Sequence, residues 1–144
     1  METNTKKQIN SPEMAKARQQ LKDYPADLKT AGDNLLRAYK AGVPLVTGSD
    51  AGNMLVMHGP TVHRELQLWV QAGIPPQAAL QAATYNAAKL LRADKRIGLI
   101  RKGYEANILV VDGDPLRDIS ATERISIVFL KGERIDRSGL FDQQ

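Results

Sequence analysis

The sequence predicts an α/β fold in two stretches of different character, divided near residue 93. Three observations carry this. Asp27 to Ala41 reads as an amphipathic helix, Gly42 as its left-handed terminator, and Val43 to Thr47 as a short buried strand. Helical spacing then dominates from Pro60 to Leu91. After Ile97 the chain turns β-branched and alternating, which suits strands joined by tight turns.

Taken in order, Met1 to Asn10 is polar and expected to be disordered. Ser11-Pro12-Glu13 is a helix start, with Ser11 as cap and Pro12 at the first helical position. That helix is expected to end at Asp23, interrupted by Tyr24-Pro25, and a second runs from Asp27 to Ala41. After the strand, Thr47-Gly48-Ser49-Asp50-Ala51-Gly52 turns small and polar. A carboxylate where a buried strand gives way to a loop is well placed for catalysis, because the strand fixes the backbone and the loop leaves room for substrate. Equally, Asp50 could serve the turn, as loop aspartates often do.

Pro60 opens a helix, with Val62, Leu66, Trp69 and Val70 on its apolar face and Gly73 closing it. Pro75-Pro76 starts the next, to Ala83, and Thr84 is expected to cap a third over Asn86 to Leu91. The alanine run from Ala78 to Ala88 reads as close-packed core. Ile97 to Gly103 is expected as a short strand and turn, Ala106 to Val111 as the strongest strand, and Ile125 to Leu130 as another. Lys131-Gly132 folds this last strand back on Glu133 to Ile135. Asp112 and Asp114, beside Gly113 and Pro115, read as turn aspartates.

Composition narrows the function. The 144 residues suffice for one core but not for a complete (β/α)8 barrel, which takes about 250. The net charge of +4 comes from interleaved pairs rather than a basic stripe, so no nucleic-acid partner is expected. Absence of cysteine excludes disulfides and thiolate metal sites. No apolar run reaches the ~20 residues that cross a bilayer, so no membrane partner is expected. The N-terminus lacks the apolar segment of a signal peptide, so the expected location is cytoplasmic.

At this point the ordered motifs resemble a known family. Gly48-Ser49-Asp50-Ala51-Gly52, His58-Gly59, Glu65-Leu66, the stretch from Ala72 to Ala88, the stretch from Ile97 to Asn107, Asp112 to Leu116, and Val128 to Glu133 are together similar to the metal-dependent amidohydrolase superfamily. The branch is that of imidazolonepropionase and Xaa-Pro dipeptidase-like enzymes. The resemblance implies the terminal portion of a (β/α)8 metallo-hydrolase barrel followed by strands of a small composite β-sandwich. Residues 1–93 would hold the last helices and the eighth barrel strand, Val43 to Thr47, and residues 94–144 the sandwich segment.

The same resemblance makes Asp50 a catalytic residue and a metal ligand that carries a proton from water to the leaving group. His58 is a candidate for substrate binding, or a loop histidine satisfied by backbone. The complete enzyme would use a divalent metal, zinc, to hydrolyse amide C–N bonds of small cyclic or peptide-like substrates. This chain alone would hold no metal and be inactive, since the family's other ligands lie on earlier strands. It would then self-associate or need an N-terminal barrel partner. Two alternatives stand beside this. One is a non-enzymatic truncated α/β module with a structural or binding role. The other is a small metal site from Asp50, His58 and His63, although the two histidines are not at helical ligand spacing.

Overall fold

A computed structural model of the chain describes residues 12–51 and 59–137, the side chains of 12–25 excepted. The first helix, α1, runs unbroken over Pro12–Lys40. The break expected at Tyr24-Pro25 is absent. A lone interior proline removes one hydrogen bond and bends a helix without necessarily ending it, and the turns on either side keep their own bonds. The other end follows expectation. Gly42 is left-handed (φ 74°), Gly42 N–H donates to Tyr39 O at 3.0 Å and Val43 N–H to Ala38 O at 3.1 Å. This pair of bonds is a Schellman termination.

Val43 to Thr47, expected as a strand, has no strand assignment. A strand exists through its bonds to a neighbour. The described strands pair only with one another, in a sheet that does not include this segment. Its apolar residues still find cover: Leu45 packs against the central hydrophobic cluster.

Helix α2 spans Pro60–Gln71 and ends at Gly73 (φ 97°) in the same two-bond pattern, with Ile74 N–H on Trp69 O. Helix α3, Pro76–Gln81, runs through a π-helical turn, Ala82–Asn86, into α4, Ala87–Leu90. Thr84 is therefore no cap. Its hydroxyl donates to Leu80 O at 2.7 Å, one turn back, which a threonine inside a helix can do. The core consists of Leu66, Trp69, Ile74, Ala79 and Ala82 together with Ile119, which arrives from a 3-10 turn over Ile119–Glu123. Of the alanine run, Ala79, Ala82 and Ala88 are buried, and Ala78 and Ala83 pack partly buried against the core.

Ile97 to Gly103 is a bend rather than a strand. Gly98 (φ 94°) passes so close to α4 that a β-carbon there would lie 2.7 Å from that of Ala88. The segment is shaped by this contact and not by strand pairing. The sheet consists of β1 (Ile108–Val111), β2 (Ile125–Leu130) and β3 (Glu133–Arg134), antiparallel in that order. Ile108 faces Phe129 and Val110 faces Ile127, with an irregularity between Val110 and Val111. Ala106 and Asn107 fall outside β1 because they serve the hairpin. Asn107 Oδ1 accepts from Lys131 N–H at 2.8 Å, and Ala106 O from Gly132 N–H at 3.0 Å. Lys131 (φ 52°) and Gly132 (φ 88°) are both left-handed, as a two-residue I′ hairpin turn requires. Asp114 serves a turn as expected, its Oδ1 accepting from Leu116 N–H at 2.9 Å. No helix among the described residues is long and apolar enough to cross a membrane.

Candidate active site

Among the described residues the segment Leu45 to Asp50 pairs with no strand, yet two helix-borne side chains pin it. At one end Asn86 Nδ2, from the π-helical turn, donates to Leu45 O at 3.0 Å. At the other, Gly48 N–H donates to both carboxylate oxygens of Glu65 in α2, at 3.2 and 3.1 Å. Two residues past Gly48, Asp50 is exposed and left-handed (φ 52°). Aspartate tolerates that conformation better than most residues. Asp50 thus stands at the solvent end of a segment fixed from the helical side.

Glu65 is half-buried on α2. Burial pushes its pKa up, opposed by the hydrogen bonds from Gly48 N–H and the Trp69 side chain. The folded chain therefore keeps this proton to higher pH than the unfolded chain does. The corresponding stability is present in full below the unfolded value and is lost as pH rises through the folded value. The urea midpoint of the wild type minus that of Glu65→Gln is expected to fall across that window. A flat or rising difference would contradict the burial effect.

His58 lies outside the described residues. His63 is half-buried and engaged elsewhere: its Nδ1 is 3.1 Å from Thr122 Oγ1. The Thr122 hydroxyl already donates to Ile119 O at 2.9 Å, so it must accept from His63 Nδ1–H. Gln67 Nε2 reaches Glu123 Oε1 at 2.7 Å beside this pair. His63 is thus a bolt between α2 and the 3-10 turn.

A catalytic divalent metal needs about three protein ligands. Among the described residues no group of three His, Asp or Glu side chains is arranged to hold one, and Asp50 offers a single carboxylate. These residues do not by themselves fit a resident metal.

Two residues that build the site were not singled out from the sequence as its supports. Glu65 was legible: it lies three residues after Val62 and four before Trp69, a charge on the apolar face of an amphipathic helix. Asn86 was legible as one of the polar residues inside an alanine-rich run. What they hold, 17 and 41 residues away, was not.

Comparison with known proteins gives this geometry a context. Residues 6–135 match the family model described as the amidohydrolase family. Ochratoxinase of Aspergillus niger is 36% identical over 105 residues, covering 69% of this chain and 21% of that protein. The structure of molinate hydrolase superposes with a TM-score of 0.71 at 33% identity, over 77% of this chain and 27% of its own. A Xaa-Pro dipeptidase with methionine bound in its active site gives 0.68 at 35% identity, over 73% and 25%. The chain spans roughly a quarter or less of each of these relatives.

Proposed function

From a chain that belongs to the amidohydrolase family, we propose the supply of the last barrel segment and one catalytic carboxylate to a hydrolase of amide C–N bonds in small cyclic or peptide-like substrates. In this reading residues 1–93 are the end of a (β/α)8 barrel and residues 94–144 belong to the β-sandwich beside it. Val43 to Thr47 becomes the eighth barrel strand once its neighbours are supplied by an N-terminal partner. The chain alone is inactive.

Asp50 carries the chemistry. Its carboxylate takes a proton from the attacking water and returns it to the leaving nitrogen, which splits amide cleavage into two assisted proton transfers. The family is generally dependent on a divalent metal. In the complete enzyme that metal would be zinc, with Asp50 as one ligand and the others supplied by the earlier barrel strands of the N-terminal partner. His58 faces the substrate. The observation that carries the reading is the placement of Asp50: exposed, left-handed, and two residues from a backbone amide held by Glu65.

The test is co-expression with a polypeptide corresponding to the remaining N-terminal part of the relatives, followed by an amidase screen. Asp50→Asn is the informative variant, because asparagine accepts φ 52° while losing the proton-accepting charge. It is expected to lower kcat by about 10²- to 10⁴-fold. Undiminished turnover would remove Asp50 from the mechanism. Turnover by this chain without its complement would overturn the fragment reading.

A further inference from the structure

The geometry points to Glu65 as a positioning residue for Asp50, acting through the Gly48 amide that its carboxylate holds. This rests on the reading of Asp50 as the proton carrier and adds the residue that aims it.

Both Glu65 oxygens lie within hydrogen-bond distance of Gly48 N. A hydrogen bond to a charged acceptor is about twice as strong as a neutral one. It is therefore a stiff restraint on a segment that pairs with no strand among the described residues. From Gly48 to the Asp50 side chain only a few backbone torsions intervene, and one of them is already in a sparsely populated region. A displacement of about 1 Å at a reacting group can cost on the order of 100-fold in rate. Fixing Gly48 is thus an effective way to fix Asp50.

A competing role for Glu65 is that of the proton carrier itself, since half-buried carboxylates with raised pKa values are typical of active sites. Its surroundings argue against this. The carboxylate accepts, on both oxygens, from the backbone amide of a segment 17 residues away, an arrangement that holds structure in place. Asp50, by contrast, is exposed at the end of the segment.

The test is NMR on the full chain, comparing the wild type with Glu65→Leu and Glu65→Gln. In the wild type the Gly48 amide is expected to exchange at least about tenfold more slowly than its intrinsic rate. Glu65→Leu should abolish that protection and shift the Asp50 Cα and Cβ resonances as its left-handed population falls. Glu65→Gln keeps an acceptor, so it should restore most of the protection, with a smaller Asp50 shift in the same direction. If Glu65→Leu fails to fold, judged by the Ile74 methyl resonances, the paired movement of Gly48 and Asp50 in Glu65→Gln decides. An unprotected Gly48 in the wild type would overturn the proposal. So would an Asp50 signal that stays put while Gly48 loses its bond. The Asp50→Asn assay tests the chemistry separately, so failure of the clasp and failure of the catalytic reading are told apart.

Discussion

Replacing Gly98 by alanine is expected to destabilise the fold by about 2–5 kcal/mol. Two costs combine. The backbone there is left-handed (φ 94°), which costs an L-residue roughly 1–2 kcal/mol. The new β-carbon would also lie 2.7 Å from the Ala88 β-carbon, 3.1 Å from Tyr85 Cα and 3.2 Å from Thr84 O. Two of these neighbours are backbone and cannot swing aside, so overpacking adds about 1–3 kcal/mol. The midpoint of urea unfolding, read at constant m-value, measures the loss. Gly42 is the built-in control. It is also left-handed, yet a β-carbon there meets nothing within 4 Å, so alanine should carry the conformational cost alone. Equal losses at the two positions would refute the packing account.

Trp69→Ala is expected to cost about 3–5 kcal/mol. The indole is 7% exposed and sits among Leu66, Ile74, Ala79, Ala82 and Ile119. Its neighbours come from α2, the turn after it, α3, the π-helical turn and the 3-10 turn, so they cannot close the void together. Calorimetry or urea denaturation reads the stability. A loss under about 1 kcal/mol would mean that this cluster is not the folding core.

Features that depend on local chemistry were legible in the sequence. Pro60 and Pro76 open helices because the missing N–H is an orphan there anyway. Gly42 and Gly73 close them because the terminating residue must be left-handed. Lys131-Gly132 makes the hairpin turn for the same conformational reason. Features that depend on remote contacts were not. Val43 to Thr47 has the composition of a strand, but composition cannot supply the neighbour that a strand needs. Ile97 to Gly103 has apolar residues in a strand-like run, yet its course is dictated by how Gly98 passes α4. The unbroken α1 shows that a proline marks where a helix is weakened, not where it must stop. In the candidate site Asp50, the proposed proton carrier, stood out from its loop, whereas the support of its segment depends on Glu65 and Asn86 crossing from other elements.

Ile119 completes a hydrophobic cluster whose other members all precede residue 83. During synthesis the helices therefore emerge from the ribosome with one wall of their interior still unmade. They can assume their helical form early, but not their final interlocking. That consolidation needs the turn carrying Ile119 and Thr122, which joins the helices only after it has been made.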